Sequence, residues 1–261
     1  MRLTRIVLPV LLLALVVGCG GTSPTGENKG GGTPTKPAGT PADPKAADAG
    51  KKFAADFLAA VRDKKASPDQ LTPEFAKVFS DSPAAELTFL ATEVGADEVT
   101  TPASADGVVF AVGKSKTGGG RTLLRVVKVG ADWKVDWLSI GVNGVTDATL
   151  SGDDAPAQFA AHALLDAAFR KNTRHLAGLL TAAARDTLGQ SVITKKFDHG
   201  ALRSRVDELL EGATRYTLVG VNKGTVTADL PLAGGKKKTA TIKAVKGSRP
   251  GEWLVDAVEV K

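Results

Sequence analysis

The sequence predicts an α+β fold, used twice in tandem, behind a secretory leader and a disordered tether. Three observations predict it. The stretch Trp133-Lys134-Val135-Asp136 recurs near the end of the chain as Trp253-Leu254-Val255-Asp256. Each copy closes a region in which helical spacing of apolar residues gives way to alternation of period two. Before these regions lies a stretch too poor in periodic apolar residues to fold.

Composition bounds the reading. The 261 residues fit one or two domains, and 43% apolar content can build real cores. Only 5% of residues are aromatic, so those cores rest on Ala, Val and Leu. The formal charge is +6, and Arg2 and Arg5 lie in the leader, which leaves about +4 on the mature chain. That bias is too small to argue for nucleic acid, and no nucleic-acid partner is expected. Cys19 is the single cysteine, which excludes a disulfide within the chain and a zinc site built on several thiolates.

The N-terminus is the most specific signal. Two arginines in Met1–Arg5 precede an apolar run, Ile6–Val17, interrupted only by Pro9. A basic region followed by an apolar stretch of this length reads as a secretory signal over residues 1–18, too short to span a bilayer comfortably. Gly20 to about Ala49 is mostly Gly, Thr, Pro, Lys and Ala, so residues 19–48 are expected to be a disordered tether. Such a spacer has an end-to-end distance on the order of 30 Å.

The first folded unit is expected over 49–142. Phe53, Phe57, Leu58 and Val61 recur at helical spacing, with Lys51, Lys52, Asp56, Arg62 and Asp63 outside the stripe. Ser67-Pro68, Thr72-Pro73 and Ser82-Pro83 each read as an N-cap followed by proline in the first helical turn. Gly95 fits a residue just past the last of these helices. The period then changes to two at Val108, Phe110 and Val112, continues through Leu124 and Val126, and ends at Trp133, Val135 and Trp137. Gly118-Gly119-Gly120 and Gly130-Ala131-Asp132 are turn-sized gaps, which predicts an antiparallel meander. Alternation puts Trp133, Val135 and Trp137 on one face. Leu138 and Ile140 bring apolar residues to the other, so a second layer can dock there.

Residues 143–153, rich in Gly, Thr, Asp and Ser, are expected to be a linker and a preferred site of proteolysis. The second unit, 154–261, opens with a helix in which Gln158-Phe159-Ala160-Ala161 echoes Lys52-Phe53-Ala54-Ala55. Leu176, Leu179, Leu180 and Leu188 suggest a second helix, and Leu202, Val206, Leu209 and Leu210 a third, ended by Gly212. Four strands follow, at Thr214–Val221, Thr225–Leu232, Lys237–Lys246 and Glu252–Val260, forming a sheet with one covered and one wet face. Trp133 and Trp253 are each expected to point inward against their own helices, and loss of Trp253 to melt the second unit while largely sparing the first.

Two resemblances add to this. Leu15-Val16-Val17-Gly18-Cys19 resembles the lipobox of bacterial lipoproteins. That resemblance implies cleavage before Cys19, diacylglycerol on its sulfur and acylation, including palmitate, of the new N-terminus. Gly20 in place of Asp then points to the outer membrane, facing the periplasm or the cell surface. Three helices and a curved antiparallel sheet ending in Trp-x-Val-Asp resemble an NTF2-like (SnoaL-like) cone, here in tandem. A cystatin-like sheet wrapped on fewer helices shares that order of elements. The NTF2-like family holds isomerases, dehydratases and non-catalytic binding modules alike, so the fold does not decide the function.

Candidate chemistry is sparse. The first unit has neither His nor Tyr. The second holds His162, His175 and His199, and Asp166 stands four residues after His162, a spacing at which the two can meet on one helix face as a general base and its orienter. His175 and His199 are expected in solvated turns. No metal-ligand spacing, phosphate loop or nucleophile elbow is present, and neither a metal nor a cofactor is expected. Lys195-Lys196, Arg203-Ser204-Arg205 and Lys236-Lys237-Lys238 are basic clusters without interleaved aromatics. The sequence therefore leans to a membrane-anchored, non-catalytic binding or interaction module. Its partners beyond the membrane would be another envelope protein or an anionic envelope polymer. The alternative is a small-molecule binder or isomerase/dehydratase-like enzyme with His162 and Asp166 in a pocket of the second unit.

Overall fold

A computed structural model describes residues 44–105, 107–115, 120–142, 150, 152–249 and 251–261. The leader, Cys19 and the tether to residue 43 lie outside the described residues, as do most of the 143–153 linker and the Gly118-Gly119 part of the first hairpin tip.

Helix α1 (Pro44–Arg62) begins in the segment that the sequence assigns to the tether. Lys45-Ala46-Ala47-Asp48 share the tether's composition, yet alanine favours helix and a proline at the first position gives up no needed N–H. Ala54, Phe57, Leu58 and Val61 are fully buried, while Lys52 and Asp56 pair in solvent at 2.6 Å. A 3-10 turn at Pro68–Gln70 follows, held by a capping box between Ser67 and Gln70. Helix α2 (Pro73–Phe79) is capped by the Thr72 hydroxyl, and α3 (Pro83–Phe89) runs into a second 3-10 turn, Leu90–Thr92. Gly95 does not end α3 in a left-handed conformation. Its N–H instead donates to the Thr122 hydroxyl at 2.8 Å, and its carbonyl lies so close to Gly113 that a Cβ there would collide with it.

Four antiparallel strands form the first sheet in the order β1 (Glu98–Ala105), β2 (Val108–Lys114), β3 (Arg121–Val129), β4 (Asp132–Val142). Sequence periodicity misses β1, because Pro102 and its Thr, Ser and Ala neighbours lack an apolar alternation. The proline is tolerated on this edge strand at a register shift between Thr100 and Ala103. A second shift corrects the expected faces of β4. Val126 pairs with Val135 and Arg125 with Trp137. Consecutive residues of β3 point to opposite faces, so Val135 and Trp137 do too.

The second half repeats the order. Helix α4 (Ala155–Phe169) is followed by α5 (Thr173–Leu179), α6 (Ala182–Gly189) and α7 (His199–Leu209). The single helix expected around Leu176–Leu188 is thus two, broken at Leu180-Thr181. Strands β5 (Thr217–Asn222), β6 (Thr225–Pro231), β7 (Lys237–Lys246) and β8 (Trp253–Val260) make a second sheet in chain order. Along β6 burial alternates strictly, as expected of a sheet with one wet face.

Burial separates the two halves. Helix α1 packs on β1, β2, β3 and β4 of its own half, with α3 and the second 3-10 turn beside it, whereas α4 packs on β6, β7 and β8 and also on β4. Phe159 of α4 meets Phe110 of β2 at 5.1 Å between ring centroids, and the Arg125 guanidinium lies over the same ring. The first sheet is therefore covered on both faces, and six successive residues of β2, Val108–Gly113, are buried. The layers run α1, first sheet, α4, second sheet, and the buried apolar side chains of both halves form one continuous cluster. Gly251 marks how closely they approach: it sits at φ +63, and a Cβ on it would run into the Val108 side chain.

Candidate functional site

The recurring Trp-x-Val-Asp stretch does the same structural work in each half. The Thr72 N–H donates to the Val135 carbonyl at 2.8 Å, and the Thr181 N–H to the Val255 carbonyl at 2.9 Å. The Thr72 hydroxyl donates to Asp136 at 2.9 Å, and the Thr181 hydroxyl to Asp256 at 3.3 Å. Both threonines also cap a helix, through Phe75 N and Ala184 N. Across the bulge the aspartate meets a cation from the third strand, Arg125 in one copy and Lys243 in the other. The signature thus pins the start of a short helix to the last strand.

The same module has two environments. Asp256 and Lys243 lie at the surface. Asp136 and Arg125 are buried and receive Arg249 from the β7–β8 loop, whose guanidinium donates to Asp136 at 2.8 Å. Arg249 also pairs with Glu252. Against the cost of burial, Arg249 holds the Glu252 carboxyl below its usual range. Together they border a cavity of about 100 Å³ between the halves, with Glu74, Phe75 and Trp253 on its wall. The Arg125 Nε is buried without a partner among the described residues. A second cavity of about 30 Å³, lined by Leu164, Leu176, Leu188, Leu202, Leu210 and Val258, is wholly apolar.

The expected His162–Asp166 pair does not form. Neither residue lies on an exposed helix face or at a pocket mouth, because α4 runs between two sheets and both are buried. His162 Nδ1 lies 3.2 Å from the Tyr216 hydroxyl, which also donates to the His162 carbonyl at 3.3 Å, an arrangement that suits the Nδ1–H tautomer. Burial pushes the His162 pKa down to about 3 and raises that of Tyr216. Asp166 turns to Arg170, 3.0 Å away, and to the Ser139 hydroxyl of β4. Burial raises its pKa despite these partners. Trp137 Nε1 donates to Ser139 at 3.0 Å, and Arg170 donates to the Ile140 carbonyl. This chain of polar contacts fastens α4 to the first sheet.

His175 is no solvated turn residue. It lies inside α5, with its ring 5.1 Å from Trp137 and close to Phe75 and Phe79. Burial lowers its pKa to about 4, and Nε2 has no partner among the described residues. His199 opens α7 at the surface, against Phe197. Trp133 packs on Gly50 of α1 as expected, but Trp253 packs on Gly224 in the β5–β6 turn, and both are only half-buried. The fully buried tryptophan is Trp137. Sequence reasoning misses Tyr216, Arg249 and Glu252, which stand in no motif. The paired Thr72 and Thr181 are legible only once the strand copies are aligned.

The two depressed histidines make stability depend on pH. The unfolded chain takes up these protons near pH 6.5, and the folded chain only near pH 4 and pH 3. Their contribution is full above pH 6.5 and is lost as pH falls below it, by roughly 1.4 kcal/mol per pH unit for each imidazole. Asp166, whose pKa burial raises, acts in the opposite direction. Urea unfolding between pH 7 and 5 is expected to show this slope, and His175→Phe to lower it by about one proton. An unchanged slope in the variant would contradict the assignment.

Among the described residues no three His, Cys, Asp or Glu side chains converge to hold a metal, and no helix is long and apolar enough to cross a membrane. No protein-family profile matches the chain, and neither a curated protein nor a solved structure is significantly similar to it.

Proposed function

We propose that the chain is a lipid-anchored protein of the bacterial cell envelope whose folded part is a non-catalytic binding or interaction module. The filled interior carries the second half of this reading. Small-molecule sites enclose about 300–1,000 Å³, whereas the two cavities described above, among the described residues, measure about 100 and 30 Å³. Arg125, Asp136, Arg249 and Glu252 around the larger are engaged with one another, and His162 is buried with its pKa far below neutrality. Such an interior supports display of a surface over enclosure of a substrate. A long helix, shorter helices and a four-strand sheet support kinship with the NTF2-like cone. The plain meander order suits a cystatin-like sheet equally.

The lipobox-like stretch ending at Cys19 supports the anchor. Burying acyl chains at about 0.8 kcal/mol per CH₂ makes attachment through several chains nearly permanent. The wild-type chain is expected to incorporate labelled palmitate and to partition with membranes. Cys19→Ser is expected to abolish incorporation and leave an uncleaved or soluble product. Equal palmitate in the variant would overturn the anchor.

A further inference from the structure

We propose that the loop carrying Val192 and Ile193 is a second membrane contact, inserting its aliphatic tip into an anionic lipid surface. Val192 is 84% and Ile193 91% exposed, the most exposed large apolar side chains among the described residues. Nothing about this loop looks frayed. Gln190 and Phe197 close it as an antiparallel bridge, and Ser191 N donates to the Lys196 carbonyl at 2.9 Å. Lys195 N returns to the Ser191 carbonyl at 3.0 Å, and the Ser191 hydroxyl accepts from Ile193 N and Thr194 N. The Phe197 ring packs against Gly189, fixing the base of the loop. The tip is therefore held outward before any partner arrives, so little ordering entropy opposes its use.

Its chemistry selects the partner. Lys195 and Lys196 follow the aliphatic pair, both exposed and without a carboxylate partner among the described residues. Apolar side chains at a tip with ammonium groups just behind match the depth profile of an acidic membrane surface, with hydrocarbon below and phosphates above. A protein interface of ordinary stability needs about 800 Å² from each partner, far more than two aliphatic side chains supply. A bilayer needs only the tip. The contact rests on the anchoring at Cys19 for proximity, because the tether that the sequence predicts, on the order of 30 Å, would keep the loop at high effective concentration near the lipid.

The test uses the acylated full chain carrying Ile193→Cys, in which the Cys19 sulfur is blocked, so that an environment-sensitive fluorophore labels position 193 alone. A Val219→Cys chain, labelled on the wet face of the second sheet, is the control. Both are reconstituted into phosphatidylcholine vesicles with and without phosphatidylglycerol. The label at 193 is expected to shift to the blue and to be quenched by brominated acyl chains in phosphatidylglycerol vesicles, with no change at 219. Each lysine changes attachment to an acidic surface about five-fold, so Lys195→Glu with Lys196→Glu should remove the shift. A chain that floats with the vesicles while its label at 193 stays unshifted overturns the loop contact alone. A shift that appears only on adding envelope proteins also overturns it, in favour of a protein partner. A chain that does not float overturns the anchoring and the loop contact with it.

Discussion

Asp136→Asn is expected to destabilise the protein by about 3–5 kcal/mol, the cost of breaking a buried ion pair from one side. Asp136 is 4% exposed and accepts from Thr72, Arg125 and Arg249. The amide keeps the shape and loses the charge. Arg125, itself buried and with Nε already lacking a partner, loses the carboxylate it pairs with and keeps only the field of Glu252. The internal repeat supplies the control. Asp256 holds the equivalent place, on Thr181 and Lys243, but at the surface, where solvent screens the pair and lysine can turn to water. Asp256→Asn should therefore cost little that is measurable. Urea denaturation of both variants decides the matter, and equal losses would show that burial of the first copy is not what distinguishes them.

Phe159→Ala is expected to cost a similar amount, about 3–5 kcal/mol, through the cavity that it leaves. More telling is which parts of the molecule respond. Phe159 belongs to α4, yet its ring lies on Phe110 of the first sheet and under Arg125. Both halves should therefore lose stability together and unfold in one transition. Two tryptophans, Trp133 and Trp137, report on the first half, and Trp253 on the second. Single-tryptophan versions followed by fluorescence should give coincident midpoints, shifted equally by Phe159→Ala. Separate midpoints, with the first half unmoved, would show that the layers melt independently. Independent melting is what tandem patterning alone suggests, with Trp253→Ala melting the second unit and largely sparing the first. A half-buried Trp253 beside a shared core makes that variant milder and less local.

The sequence by itself determined the class of fold and most of its elements, with β1 and the break between α5 and α6 the exceptions. Apolar residues at 53, 57, 58 and 61 place a helix because local periodicity chooses the face that can be buried. Alternation along β6 and β7 marks strands with one wet face for the same reason. Prolines after Ser67, Thr72 and Ser82 mark element starts through backbone constraints that need no distant partner. The duplicated Trp-x-Val-Asp was legible as a repeat, but its task was not. Hydrogen bonds from Thr72 to Asp136 and from Thr181 to Asp256 join residues far apart in the chain. The apolar composition of α4 does not say between which layers the helix lies.

Tertiary structure alone decided the environment of each charged and aromatic group. A one-residue bulge in β4 sends Trp137 to the face opposite Val135, which no period-two reading can show, since an extra residue inverts everything after it. Packing of α4 between the two sheets removes His162 and Asp166 from solvent, and Tyr216 and Arg170 partner them instead of each other. Packing of the β7–β8 loop and α5 beside the first sheet leaves Asp136 and Arg125 buried while the equivalent Asp256 and Lys243 face water. Identical signatures therefore carry different energies, because an ion pair's worth depends on the dielectric and the third partners around it, and those are set by contacts the local sequence does not encode.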